Sequence, residues 1–137
     1  MEHPNATRMR ETVDALMARD VDRLLEGVAE DAVWIAPGDT PASGTFRGRN
    51  GIRRFFAMLD AASSGSVQIE VDDVLAGDRY VTIFLDIAAL GHGERMHVLV
   101  AQFAEIDEQG RWRRCWFLPD KLDHWNRFFA GAKSDNH

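Results

Sequence analysis

Residues 29–56, "AEDAVWIAPGDTPASGTFRGRNGIRRFF", hold the pattern that decides the fold. The apolar run in "AVWIAP" predicts a short β-strand, which stops at Pro37 and Gly38 because these residues interrupt regular strand geometry. Residues 48–62 predict a helix, because apolar side chains form one stripe there, at Ile52, Phe55, Phe56 and Leu59. The Pro/Gly/Ser-rich loop between strand and helix is either the rim of a functional site or a simple connector.

Two helices are predicted before this stretch. Residues 7–19 form an amphipathic pattern, with Met9, Val13, Leu16 and Met17 at helical spacing. Asp20 is a suitable N-cap for a second, short helix, because its carboxylate can accept a free backbone N–H of the first turn. The buried face of that second helix would carry Val21, Leu24, Leu25 and Val28.

Four strands and a closing helix are predicted after this stretch. Val67, Ile69 and Val71 alternate with polar residues, as in a half-buried strand. Residues 79–90, 95–106 and 111–118 are strand-like segments separated by the turns "GHGE" and "DEQG". A closing helix is predicted from the apolar spacing of Leu122, Trp125, Phe128 and Phe129.

This order of elements is typical of an α+β fold, in which helices gather on one face of a curved, mostly antiparallel sheet. It is not a βαβ repeat, and "GTFRGRNG" matches neither the dinucleotide fingerprint nor the P-loop. With 137 residues, the chain is expected to form one domain, residues 1–137, with a core of adequate size.

Composition and charge disfavour several classes of partner. The formal charge of −6 argues against nucleic acid and anionic membranes. The single cysteine, Cys115, rules out an internal disulfide, and the first residues, "MEHPNATRMRE", lack the apolar centre of a signal peptide. We therefore expect a cytoplasmic protein with no membrane or nucleic-acid partner. His92 and His97 do not have zinc-site spacing, so no metal or other cofactor is expected.

The segments "AEDAVWIAPG", "SGTFRGRNGIRRFF" and "IDEQGRWRRCWFLPD", in this order, resemble the SnoaL-like branch of the nuclear transport factor 2-like (NTF2-like) superfamily. The resemblance covers nearly the whole chain. It implies a cone-shaped, strongly bent sheet wrapped around N-terminal helices, with a short C-terminal helix and one deep pocket. Members include isomerases, cyclases, epoxide hydrolases, dehydratases and non-catalytic binders, so the fold alone leaves the activity open.

The resemblance also assigns three positions that carry catalysis in the ketosteroid isomerases of this superfamily. The tyrosine, the general-base aspartate and the second aspartate of those enzymes correspond to Thr12, Ala36 and Gln102. Because a methyl side chain cannot remove a proton, isomerase chemistry through these residues is not expected.

The same correspondence predicts which side chains face the pocket, because alternate strand residues point to opposite faces. The ligand-binding positions expected from the sheet are Trp34, Ala36, Ile83, Leu85, Ile87, Val98, Val100, Cys115 and Phe117. Leu16, Phe55 and Leu59 are expected to close the pocket from the helices. Such an apolar lining suits a hydrophobic ligand. The alternative is that these side chains fill the space completely.

Three residues are candidates for the chemistry. Gln102 could polarise a ligand oxygen, or could be a core amide bonded to the backbone. Asp39, in the loop "PGDTP", and Asp120, at the end of the last strand, could act as acid or base at the pocket mouth. Their structural alternatives are a turn for Asp39 and a helix cap for Asp120. Cys115 is expected to be packed and inert, since no histidine is predicted beside it.

The convex face of the predicted sheet carries much aromatic area. Its residues are Tyr80, Phe84, Phe103, Trp112 and Trp116, and His97 is expected on the same face. Exposed apolar area of this kind usually packs against something, so a homodimer through this outer face is expected.

Three functions follow as hypotheses. The first is an enzyme that isomerises, cyclises or hydrates a small hydrophobic molecule by using Asp39, Asp120 and Gln102. The second is a binder of such a molecule that uses the same pocket without catalysis. The third is a dimeric interaction domain with a filled core.

Overall fold

The computed structural model describes residues 3–91 and 93–133, and His92 lies outside them. The helices are α1 (Pro4–Met17), α2 (Val21–Glu26), α3 (Gly48–Ser63) and α4 (Leu122–Lys133). The strands are β1 (Val28–Ala36), β2 (Gly44–Arg47), β3 (Gln68–Ala76), β4 (Tyr80–Gly91), β5 (Glu94–Ile106) and β6 (Trp112–Pro119).

One six-stranded sheet has the order β2-β1-β6-β5-β4-β3. Strands β3 to β6 form an antiparallel meander, and β1 joins its β6 edge in parallel orientation. The prediction of an α+β fold with a mostly antiparallel sheet is confirmed. Strand β2 was not predicted: part of the loop after β1 turns back, and Phe46 pairs with Trp34 across the two strands.

Local signals account for the starts of the first two helices. Helix α1 begins earlier than the sequence predicts, because Pro4 occupies the first turn, where a missing N–H costs nothing. The ring of His3 accepts a hydrogen bond from the Asn5 N–H at 3.1 Å and caps this start. The predicted cap of α2 is confirmed, since the Asp20 carboxylate accepts from the Arg23 N–H at 3.2 Å.

The core lies between the helices and one face of the sheet, and Trp34 on β1 is its centre. The Trp34 ring lies 5.1 Å from Phe117 on β6 and 5.3 Å from Phe56 on α3, both edge to face. Phe55 lies at 6.0 Å and Trp112 at 5.7 Å. Since Trp34 is only 1% exposed, this aromatic cluster joins β1, β6 and α3 into one packed unit.

The expected position of Trp112 on the outer face is wrong, because Trp112 is fully buried. The pairing of β5 with β6 shifts here, with Glu105 opposite Arg114 and Ile106 opposite Trp112. One extra residue on β6 forms a bulge, which reverses the alternation of faces. The indole N–H of Trp112 consequently points inward to the sulfur of Met9.

The end of α3 packs closely against the end of β4 at Gly91. A Cβ atom at Gly91 would lie 1.9 Å from the backbone oxygen of Ala62, so only glycine fits without movement of the helix. The Ser66 hydroxyl bonds to both the N–H and the carbonyl oxygen of Leu90, at 2.8 and 2.7 Å. These contacts set the distance between α3 and the sheet, and therefore the width of the space between them.

Candidate functional site

A small interior cavity lies between the helices and the sheet. It has a volume of about 20 Å³, which is room for roughly one water molecule. The lining side chains are Leu16, Phe55, Phe56, Leu59, Ile69, Leu85, Ile87, Gln102, Phe117 and Trp125. Most of the interior volume is therefore occupied by side chains, and only a remnant of the expected deep pocket is open in this conformation.

Thirteen buried positions correspond to the predicted pocket and its amide, and they divide into two groups. Seven lie on the cavity wall: Leu16, Phe55, Leu59, Leu85, Ile87, Gln102 and Phe117. Six are buried behind the wall: Trp34, Ala36, Ile83, Val98, Val100 and Cys115. Their burial agrees with the predicted inward-facing positions, and their role in ligand binding stays a prediction.

Three lining residues were not assigned to the pocket from the sequence. Phe56 belongs to the predicted apolar stripe of α3, and Ile69 to the predicted alternation of β3, so both signals were present. Trp125 belongs to α4, and the position of that helix over the sheet depends on tertiary packing.

Gln102 is the polar group of chief interest on the cavity wall. It is fully buried on β5, where it lies opposite Ile83 of β4 and Phe117 of β6. Its Nε2 atom donates to the Cys115 sulfur at 3.2 Å, and its Oε1 atom has no hydrogen-bond partner among the described residues. An unsatisfied buried acceptor costs about 1–3 kcal/mol, so a partner that reached it would bind favourably.

The Cys115 thiol is the hydrogen-bond partner of the Gln102 amide. Burial raises the pKa of its thiol to about 12, partly offset by the hydrogen bond from Gln102, so the thiol keeps its proton at neutral pH. A protonated thiol is a poor nucleophile, as expected from the sequence. The S–H can donate to the amide oxygen if the amide turns by 180°, since its O and N atoms have nearly the same shape. Gln102 can therefore offer either an acceptor or a donor to the cavity.

Two buried indole groups also lack partners. Within the part of the chain that the structure describes, the Nε1 atoms of Trp34 and Trp125 have no hydrogen-bond acceptor, and Trp125 lies on the cavity wall. Among the residues that the structure describes, no titratable side chain lines this cavity. The wall of the cavity thus offers mainly apolar contacts and a few hydrogen-bonding groups, and it carries no acid or base.

Asp39 lies outside the cavity. It is exposed in the loop of residues 37–43, and its backbone N–H donates to Oδ1 of Asn126 on α4 at 2.9 Å. The turn is held by Ser43, whose hydroxyl accepts from the Thr40 N–H at 3.0 Å and donates to the Pro37 oxygen at 2.6 Å. The loop is thereby attached to α4. A catalytic role of Asp39 stays a prediction.

Asp120 is also exposed and extends the pairing of β5 with β6. Its carboxylate accepts from the Leu99 N–H at 2.9 Å, and its own N–H donates to the Leu99 oxygen at 2.9 Å. The Asp120 side chain therefore bonds to β5 rather than to the start of α4, which corrects the helix-cap alternative. Asp120 does not line the cavity, and its catalytic role stays a prediction.

A surface cleft of about 250 Å³ lies beside the cavity. Its walls are formed by Arg19, Val21, Arg53, Phe56, Ala57, Leu59, Asp60, Val67 and Ile69. Phe56, Leu59 and Ile69 belong to both hollows, so these three side chains are the partition between them.

The aromatic residues that were expected on the outer face of the sheet lie there, with the exception of Trp112. Phe103 stacks on Tyr80 with a centroid distance of 5.4 Å and lies 5.6 Å from Trp116. His97 is exposed on the same face, and its Nε2 atom lies 2.7 Å from the Asp86 carboxylate. This face therefore presents an aromatic row beside a histidine–carboxylate pair.

Other kinds of site are not seen in the described part of the chain. Over residues 3–91 and 93–133, no group of three His, Cys, Asp or Glu side chains is arranged to hold a metal ion. Over the same residues, no helix combines the length and apolar character needed to cross a bilayer.

An open six-stranded sheet with helices packed on one face and a buried amide between them fits the α+β fold of NTF2-like proteins. The chain belongs to the SnoaL-like domain family, whose sequence pattern matches residues 9–115. The expected family is thus confirmed. No curated protein matches the chain.

Solved structures agree with this fold. Bal32a, from a soil-derived mobile gene cassette, is 25% identical with a TM-score of 0.85, over 91% of this chain and 95% of Bal32a. TerC, crystallised with polyporic acid, is 18% identical with a TM-score of 0.79, over 92% and 98% of the two chains. A candidate SnoaL-like polyketide cyclase from Jannaschia sp. CCS1 is 14% identical with a TM-score of 0.74, over 95% and 96%.

Proposed function

We propose that this protein binds a small, mostly apolar molecule that carries one hydrogen-bonding oxygen, and that Gln102 is the polar anchor. The observation that carries the proposal is the fully buried amide of Gln102, which has an unpartnered polar atom and lies on an otherwise apolar cavity wall. A ligand hydroxyl can donate to Oε1 of Gln102. If the amide turns so that Oε1 accepts from the Cys115 thiol, Nε2 can instead donate to a ligand carbonyl. Apolar contacts would supply the remaining affinity.

Structures of the same fold support this kind of function. TerC was crystallised with polyporic acid, and the Jannaschia protein is described as a candidate polyketide cyclase. At 18% and 14% identity, these neighbours share the fold, and the ligand of this chain must be inferred from its own cavity.

Binding is better supported than acid–base catalysis by Asp39 and Asp120. Both carboxylates are exposed, and both belong to segments bonded elsewhere, Asp39 to Asn126 and Asp120 to Leu99. A general base must come within hydrogen-bond reach of the proton that it removes, and neither carboxylate lines the cavity.

Substitution of Gln102 by leucine is expected to remove selectivity for an oxygen on the ligand. Two probes of similar ring size separate this effect from apolar packing: 2-naphthol, which has one hydroxyl, and naphthalene, which has none. The ratio of the 2-naphthol affinity to the naphthalene affinity is expected to be about five- to tenfold higher in the wild-type protein than in Gln102→Leu, because one buried hydrogen bond contributes about 1 kcal/mol. Titrations followed by the indole N–H signals of Trp34 and Trp125 in ¹H–¹⁵N spectra give the four affinities.

Two results would count against this proposal. If neither probe binds the wild-type protein at its solubility limit, the ligand-binding function itself is wrong. If both proteins show the same preference for 2-naphthol, the cavity binds ligands but Gln102 is not the anchor. Thermal unfolding of Gln102→Leu checks that the variant is folded before the affinities are compared.

We also propose that two copies of the chain pair through the outer face of the sheet. Leu99 is 47% exposed and Leu118 is 60% exposed, and both lie on this face beside the aromatic row of Tyr80, Phe103 and Trp116. Contiguous apolar area of this kind is costly to leave in water. The histidine–carboxylate pair of His97 and Asp86 adds polar groups that can match a symmetric copy.

The double variant Leu99→Glu, Leu118→Glu is expected to be monomeric. Two carboxylates on each copy would face their counterparts in a symmetric contact, and burying unpaired charges is strongly unfavourable. Sedimentation velocity of the wild-type and variant proteins measures the change. A double variant at exposed positions of the helices, Glu11→Gln and Glu26→Gln, is the control and should sediment like the wild-type protein. A monomeric wild-type protein would refute the dimer.

A further inference from the structure

We propose that ligands reach the cavity between α3 and β3, and that the Phe56 side chain is the gate on this route. This inference rests on the proposed binding function and adds where the molecule enters and which residue controls its passage. The loop of residues 37–43, which the sequence suggested as the rim, is then not the entrance.

The partition between the two hollows gives the route. The cavity and the surface cleft share Phe56, Leu59 and Ile69, so a displacement of these side chains alone would join about 20 Å³ of interior space to about 250 Å³ of surface cleft. The cleft is open to solvent between Arg53 and Asp60 of α3 and the start of β3. A bicyclic ligand requires this joined space, since the closed cavity holds only about one water.

Phe56 is the least buried member of the partition. Leu59 and Ile69 are 6% and 8% exposed, whereas Phe56 is only partly buried. Its ring touches Trp34 and Phe55 by edge contacts at 5.3 and 5.5 Å. A partly exposed side chain changes rotamer rapidly, whereas the buried side chains beside it are held by packing on all sides. Phe56 can therefore swing towards solvent while α3 stays in place.

The part of the cavity wall that α4 supplies is closed by packed structure. Trp125 of α4 lies on the cavity wall, with its ring 4.6 Å from Phe129. Asn126 bonds the loop at Asp39, and a Cβ at Gly38 would lie 2.1 Å from Oδ1 of Asn126. Opening on this side requires α4 to separate from the loop and breaks the hydrogen bond between Asp39 and Asn126, whereas a rotation of the apolar Phe56 side chain breaks no hydrogen bond.

The test measures the association rate of 2-naphthol by stopped-flow fluorescence. Phe56→Ala is expected to raise this rate about tenfold or more, because the open form is a minor population when the gate is present. Phe56→Trp is expected to lower it, since the larger ring fills the partition. Met58→Ala is the matched control: Met58 lies on α3, is partly buried like Phe56 and lines neither hollow, so this variant should leave the association rate close to that of wild type.

A variant of α4 tests the alternative that ligands enter at the loop of residues 37–43. Asn126→Ala removes the bond between α4 and the loop, and it is expected to leave the association rate unchanged. If Asn126→Ala accelerates association and Phe56→Ala does not, the entrance lies at the loop and the gate proposal is overturned. Equal rates in wild type, Phe56→Ala and Phe56→Trp would also overturn it while leaving the binding function intact. Failure of 2-naphthol to bind both wild type and Phe56→Ala would remove the binding function and the gate together.

Discussion

Replacement of Trp34 by alanine is expected to destabilise the protein by about 3–5 kcal/mol, the usual cost of deleting a large buried aromatic side chain. Trp34 is 1% exposed and has four aromatic neighbours, on α3 and on β6. Its removal leaves a void between elements that come from distant parts of the chain. Urea unfolding followed by circular dichroism gives the change in the free energy of unfolding.

Trp34→Phe is the control for the loss of volume. It keeps an aromatic ring in the cluster and removes the indole N–H, for which residues 3–91 and 93–133 provide no hydrogen-bond partner. Burying an unpaired N–H destabilises the folded state, so its removal offsets part of the packing energy that is lost. We therefore expect the free energy of unfolding of Trp34→Phe to differ from that of wild type by less than about 1.5 kcal/mol. A loss of less than about 1 kcal/mol in Trp34→Ala would mean that the cluster is not the centre of the core.

The second large effect is a loss of stability at high pH caused by Cys115. Its pKa is about 12 in the folded protein, against 9.0 for a free thiol, because burial disfavours the thiolate. Above pH 9 the unfolded chain loses this proton while the folded chain keeps it. The contribution of the protonated Cys115 thiol to the free energy of unfolding is therefore fully present below pH 9. It is lost at about 1.4 kcal/mol per pH unit as the pH rises towards 12.

Comparison with Cys115→Ala isolates this contribution from those of the other titrating groups. The variant lacks the thiol, so its stability should fall less steeply between pH 8 and pH 11. The difference between the two proteins is expected to change by roughly 2–3 kcal/mol over this interval. Urea unfolding at a series of pH values measures it. Parallel stability curves for the two proteins would show that the thiol ionises as easily in the fold as in water.

Most of the secondary structure could be predicted because it depends on local patterns. The Asp20 cap, the strand alternation and the two glycine-containing turns are encoded by neighbouring residues. Strand β2 was missed because four residues give little periodicity, and its partner, β1, lies across a loop. Trp112 was placed on the wrong face because a bulge changes the alternation without a clear signal in the sequence.

The candidate site was predicted in its composition more than in its shape. Gln102 and the apolar residues around it could be assigned to the interior from strand alternation and the resemblance to the SnoaL-like family. The volume of the cavity could not, because it is the small difference between the space enclosed by the sheet and the side chains that fill it. The positions of Asp39 and Asp120 also depend on contacts across the fold, with Asn126 and with Leu99.

By itself, the sequence determined the order of helices and strands, the family and the apolar character of the interior, because each of these follows from residue type and spacing. Tertiary structure alone decided that α4 attaches to the loop after β1, that Trp112 turns inward, and that Phe56, Leu59 and Ile69 separate cavity from cleft. These features arise where segments far apart in the chain meet, and their geometry depends on how the side chains of both segments pack together.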